Sequence, residues 1–310
     1  MDKQWLTYEQ QLALLTERGL LIADEAAALD FLSRVSYYRL SGYFRYWQRD
    51  PAGGDNTFVP GASFETVKQL YEAEEQLTVK CTAALHPLEV LLRTRFAHSY
   101  GHLVTALGGF ARGEGFTQPL DNSAVRAEDH ALASLDKSKE PFIAHYRDNI
   151  KVGSTYALEA YDRMPIWVAV EGMTFGSLSH LITASGQSGV LDEIAQSLNA
   201  SRRTLPSQVR SFVYLRNRCA HNSKLWNHSV LDVPGLLSNI ERRAKKTYGK
   251  FSDHSVFKIL VAIDDLATKS CIEKDWLTNQ INPLLEANQL LSAGIKNPAR
   301  YGEFDTAPFA

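Results

Sequence analysis

Residues 63–101, SFETVKQLYEAEEQLTVKCTAALHPLEVLLRTRFAHSYG, carry apolar side chains at Phe64, Val67, Leu70, Leu77, Leu85 and Leu88, close to helical spacing. Ser63 stands where a helix wants a capping hydroxyl. Pro87 predicts a kink or a split, because its ring supplies no N–H to the carbonyl four residues back. Working outward, Thr7 with Gln10 reads as a capping box ahead of Leu12 and Leu15, and Gly19 as the stop. Asp24 caps EAAALDFLSRV (25–35), which runs into the aromatic, basic stretch SYYRLSGYFRYW (36–47).

The stretch PAGGDNTFVPGAS (51–63) has turn and loop chemistry and is the best candidate linker, so a boundary is expected near residue 60, between units 1–60 and 61–310. Glycine-rich 108–122 predicts a loop, and helices are expected over 124–135 and 140–150. In MPIWVAVEGMTFGSLSHLIT (164–183), Pro165 starts a helix, Gly172 to Gly176 interrupts it and Ser177 caps the next. Further helices are predicted over 189–199, 206–221, 235–248, 254–270 and 274–291. Alternating strand patterns are scarce and no repeat occurs. The expected fold is mainly α, a packed helical bundle with a small N-terminal helical, aromatic-rich unit.

A chain of 310 residues with 45% hydrophobic content can bury a sizeable core. A formal charge of −2 excludes a polycationic coat, so a polyanion must bind at a local patch. Cys81, Cys219 and Cys271 are odd in number and widely spaced, which supports neither a disulfide framework nor a thiolate metal site. The first residues lack a signal peptide's apolar core and no run is long enough to span a bilayer, so a soluble, cytoplasmic protein is expected.

The stretch richest in chemistry is LRNRCAHNSKLWN (215–227), where Arg216 and His221 form R-x4-H with Asn217 beside the arginine. Five helical steps put Arg216 and His221 on different faces, whereas Asn217 and His221, four apart, share one. A helix end, a long arginine reach or a second copy of the helix would bring all three together. The residue types suit RNA cleavage without a metal. Histidine titrates near neutrality and can move a proton to or from ribose oxygens, arginine matches phosphate oxygens, and asparagine can orient either. Such cleavage leaves a 2′,3′-cyclic phosphate. The bare spacing is weak, since chance supplies about half of one such match.

The same stretch resembles the C-terminal signature of the bacterial abortive-infection family, regarded as part of the HEPN ribonuclease superfamily. YYRLSGYFRYW (37–47), PFIAHYRDN (141–149) and MPIWVAVEGMTFGSLSHL (164–181) resemble that family's other blocks, in its order. The resemblance implies a HEPN-type bundle and a ribonuclease with catalytic Arg216, Asn217 and His221, needing no cofactor. It also implies frequent dimerisation and a role in phage defence or toxin–antitoxin systems. The natural partners are then RNA as substrate and an antitoxin, which could be a small RNA or a protein; DNA is not expected. One departure is visible: Asn222 and Lys224 stand where a second histidine and an arginine are expected.

Other candidates carry two readings each. Arg93 and His98 repeat the R-x4-H spacing, but Thr94 replaces the asparagine and an incidental pair is the better reading. In YYRLSGYFRYWQR (37–49), Arg39, Tyr43 and Arg45 suit single-stranded RNA, while the same pattern suits core rings with a solvated arginine rim. Arg202 and Arg203, then Arg242, Arg243, Lys245 and Lys246, with Arg218 and Lys224 in the motif stretch, could supply phosphate contacts. Solvated helix faces are the default for such clusters. Glu171, in an apolar block, could be a buried carboxylate anchoring an arginine, with a structural ion pair the commoner outcome. His145 beside Tyr146 reads as structural. Neither a phosphate-binding glycine loop nor a metal-ligand set occurs in the sequence. The alternative function is a non-catalytic RNA-binding module that scaffolds a structured small RNA.

Overall fold

A computed structural model describes residues 4–121 and 123–298. The outer ends of the two expected sequence units, and Asn122 at the end of the expected loop, lie outside them. Among the described residues the protein is mainly helical. In chain order the elements are α1 (Tyr8–Glu17), α2 (Glu25–Arg34), α3 (Tyr37–Phe44), a hairpin of β1 (Gln48–Asp50) and β2 (Asp55–Phe58), and α4 (Phe64–Leu103). Then come α5 (Ala127–Lys137), α6 (Pro141–Tyr146), a second hairpin of β3 (Lys151–Val152) and β4 (Thr155–Tyr156), α7 (Ile166–Gly172), α8 (Phe175–Ala184) and α9 (Val190–Ser197). The chain continues through α10 (Leu205–Ala220), α11 (Ser238–Tyr248), α12 (Val256–Lys269), a π-helical turn, α13 (Asn282–Ala287) and α14 (Gln289–Lys296).

The caps follow local chemistry. Thr7 and Gln10 complete the capping box of α1, and Asp24 accepts from Ala27 N–H at the start of α2. Ser63 Oγ accepts from Thr66 N–H at 3.2 Å as α4 begins. Pro87 does not split α4, which stays one helix of 40 residues. Ala83, whose carbonyl loses its helical partner, lies on the exposed side, where solvent can take the bond. The interruption after Gly172 is present, but Thr174 rather than Ser177 caps α8, its hydroxyl accepting from Ser177 N–H at 3.0 Å. Helix α6 stops at Tyr146, short of residue 150, and the chain turns into the β3–β4 hairpin.

Two compact units organise the chain: the described parts of Met1–Thr78, Lys224–Ser229 and Pro283–Ala310, and Val79–Ser223 with Val230–Asn282. The boundary expected at residue 60 is not where the chain divides. The glycine-rich stretch closes the β1–β2 hairpin, and a bridge between Leu21 and Ser63 ties it to the first helices.

The first unit has an aromatic core. The Trp226 indole is fully buried, lies parallel to Trp47 at 5.8 Å and to Tyr43 at 6.0 Å, and donates to the Leu290 carbonyl. Tyr43 is therefore corrected from RNA contact to core: it is 3% exposed and its hydroxyl donates to Glu74 Oε2 at 3.0 Å. Glu74 also accepts from Leu225 N–H at 2.5 Å. Burial pushes the Glu74 carboxyl above the usual glutamate value, opposed by these hydrogen bonds, and pushes the Tyr43 hydroxyl well above its own. Lys224 is likewise committed: its ammonium donates to the Gly42 carbonyl at 2.8 Å and sits 4.6 Å from the Tyr46 ring centre. Arg39 and Arg45 of the same stretch are exposed.

In the second unit, α8 packs against α5, α9 and α10, and α10 also packs against α12. The centre of this layer is apolar, with Phe175, Leu178, Leu181, Phe212 and Leu215 buried. Among the described residues no helix is long and apolar enough to cross a membrane.

Candidate functional site

Helix α10 is strongly two-faced. Leu205, Val209, Phe212, Leu215 and Cys219, spaced by three and four, face the core. Arg210, Tyr214, Asn217 and His221, with the same spacing, form a second stripe that borders an open groove of about 580 Å³. A matching stripe of α8, Gly176, Ser179, His180 and Thr183, provides another part of the lining. Arg218, Ser223 and Asp232 complete the polar lining. Two guanidinium groups thus face one carboxylate, a local cationic bias that the whole-chain charge conceals.

The chain leaves α10 through a hydrogen-bonded reversal. Asn222 N–H bonds the Cys219 carbonyl and Ser223 N–H bonds the Arg218 carbonyl at 2.8 Å, with Asn222 in the left-handed region at φ 49°. His221, the last residue before this turn, is exposed.

The groove unites Asn217 and His221, as their i, i+4 spacing requires, and adds Arg218. It does not include Arg216. That side chain turns to Glu89, with Nε 3.4 Å from Oε2, and lies 5.9 Å from the Phe175 ring centre. It also donates to Asn217 Oδ1 at 2.9 Å, so its link to the groove runs through the asparagine amide. Glu89 in turn pairs with Arg93 at 2.6 Å, and buried Arg93 donates to the Val170 carbonyl. Arg93 is thus a structural partner of the motif arginine, while His98 is exposed.

The carboxylate that anchors Arg216 is Glu89, not Glu171. Glu171 is exposed beside a surface depression with Glu140, Phe142 and Trp167. Sequence reasoning missed Glu89, although its i, i+4 spacing to Arg93 was visible. His145 is exposed, with its ring edge-on to Tyr146 at 4.8 Å.

Sequence reasoning also missed His180. Its ring stacks on His130 of α5, centres 3.8 Å apart and planes within 4°. Burial first, then the neighbouring His130 and Arg210, hold the His180 imidazole below the usual histidine value. The available signal was its position six residues after the Thr174 cap, on the stripe that the buried Leu178 and Leu181 leave facing away from the core.

The remaining basic clusters do not line the groove. Arg202 pairs with Asp192 at 2.6 Å and donates to the Gly186 carbonyl, and Arg203 is exposed beside it. Both precede α10, whose length separates them from His221 by about 24 Å. On α11, Lys245 pairs with Glu241, and Arg243 borders a different cavity containing Asp264, Asp265 and Asp275. Arg242 and Lys246 are exposed on the same helix. Among the described residues no group of three His, Cys, Asp or Glu side chains is arranged to hold a metal ion.

A helical protein with two histidines, an asparagine and two arginines around one open groove is the class defined by this geometry. The family model described as "Abi-like protein" matches residues 30–227, more than half of the chain and including the whole α10 motif, and the chain belongs to that family. Membership ties it to abortive infection in general. No curated protein and no solved structure matches the chain.

Proposed function

We propose that the groove beside α10 is the site of a metal-independent endoribonuclease acting in abortive infection. The observation that carries this reading is the placement of His221 and Asn217 on one stripe with Arg210, beside Arg218, in an open groove. The arginines offer charge-assisted hydrogen bonds to phosphate oxygens, and His221 is free of the core and able to donate a proton to the leaving 5′-oxygen. Asn217 orients the phosphate or the imidazole. Arg216, which meets the groove through Asn217, is a positioning residue held by Glu89. This modifies the role its motif suggests, because the guanidinium is aimed at a carboxylate. The R-x4-H spacing and the family blocks support HEPN kinship, and a cell carrying such an activity needs it held silent by an RNA or protein antitoxin.

The test compares wild type with His221→Ala on end-labelled RNA in excess chelator, with products examined for 2′,3′-cyclic phosphate. The wild type cuts, and the variant is slower by about 10²–10⁴ with its thermal unfolding unchanged. Equal cutting by both removes His221 from the chemistry. RNA that is bound by both and cut by neither makes the groove a binding module.

A further inference from the structure

The groove holds a second imidazole, His180, from a different helix than His221. Transesterification of RNA moves two protons, one off the 2′-hydroxyl and one onto the 5′-oxygen, and a single histidine serves both ends poorly in one step. The backbone around His180 is built to fix it. Ser177, three residues earlier, donates from Oγ to the His130 carbonyl at 2.8 Å and contacts Ser134 Oγ at the same distance, which pins the start of α8 to α5. His130 then covers one face of the His180 ring. A parallel imidazole this close disfavours positive charge on the His180 ring, which favours its acting as a proton acceptor.

We infer that His180 is the second proton-transfer residue of this site, acting as general base on the ribose 2′-hydroxyl while His221 acts as general acid. The assignment rests on the ribonuclease reading above and adds a residue to it. The step balances without a cofactor. A ring nitrogen of His180 takes the 2′-hydroxyl proton as the O2′–P bond forms, the P–O5′ bond breaks, and the departing oxygen takes the proton of His221. Both proton-transfer groups then come from one chain, and a second copy is not needed to supply either.

The pH dependence depends on every charged or titratable neighbour facing His180: His130 from α5, Arg210, Tyr214 and Arg218 from α10, and His221 and Asp232 in the groove lining. In His130→Ala the like-charge neighbour is gone, and the acidic limb of the cleavage profile moves to higher pH. A merely structural His180 leaves that limb in place.

The deciding experiment uses the full chain and two RNA substrates, one ordinary and one with sulfur in place of the bridging 5′-oxygen at the scissile phosphate. A thiolate leaves without protonation, so loss of the acid is rescued by sulfur and loss of the base is not. His180→Gln, which keeps a polar side chain of similar length, is slower by about 10²-fold or more on both substrates. His221→Ala is slow on the oxygen substrate and recovers on the sulfur one. Wild-type rates for His180→Gln, or its rescue by sulfur, overturn the assignment while leaving the ribonuclease standing. A wild type that cuts neither substrate overturns the ribonuclease reading and this one with it.

Discussion

The Trp226 cluster of the first unit and the α10 groove of the second are made from the same kinds of residue, aromatic rings beside cationic side chains, yet one is sealed and the other open. In the first, Lys224 lies among Tyr43, Tyr46 and Trp226, and Glu74 collects donors from Tyr43 and the backbone. In the second, Arg210, Asn217 and His221 face solvent along a stripe whose opposite face is core. Both draw on LRNRCAHNSKLWN, which runs from one unit into the other after Ser223. Residue type therefore does not separate an open groove from a sealed network here; burial does.

The largest effect expected from this contrast is on stability. Trp226→Ala empties the centre of the sealed cluster and should lower the unfolding free energy by about 3–5 kcal/mol, measured by denaturant titration. A change below about 1 kcal/mol would mean that the stacked rings do not carry the unit.

A smaller, pH-dependent effect belongs to Glu74. A carboxyl whose folded pKa is raised binds its proton more tightly in the folded state. Its contribution is most favourable below the ordinary glutamate value of 4.5 and declines as pH rises through the folded value. The stability of the wild type relative to Glu74→Gln should fall as pH rises above the ordinary value and through the raised folded one. A flat difference would show a carboxyl that is not desolvated.

The smallest effect sharpens the open side. Arg210→Ala should weaken RNA binding several-fold and reduce the salt slope by about one, whereas Arg203→Ala, which does not line the groove, should leave affinity within about twofold. Equal losses from both would mean that RNA is held by dispersed charge and not by the groove.

What was legible in the sequence follows the range of the forces involved. The caps at Thr7, Asp24 and Ser63 are decided within four residues and were readable, as was the shared face of Asn217 and His221. Local sterics at Pro87 predict a kink or a split, and the split does not occur, because one missing bond does not undo a helix whose apolar face is packed over 40 residues. Tyr43 looked like a base-stacking ring because its partners, Glu74 and Trp226, are 31 and 183 positions away and only folding brings them near. His180 was passed over for the same reason: its partners are His130 and the α10 stripe, not its sequence neighbours.

The reversal after α10 asks position 222 for a backbone sign. At φ 49° the residue after His221 must tolerate the left-handed region, which asparagine and histidine enter more readily than most side chains and β-branched residues resist. Asparagine where a second histidine was expected is thus a synonym in the grammar of this turn. What Asn222 preserves is the bend that presents His221.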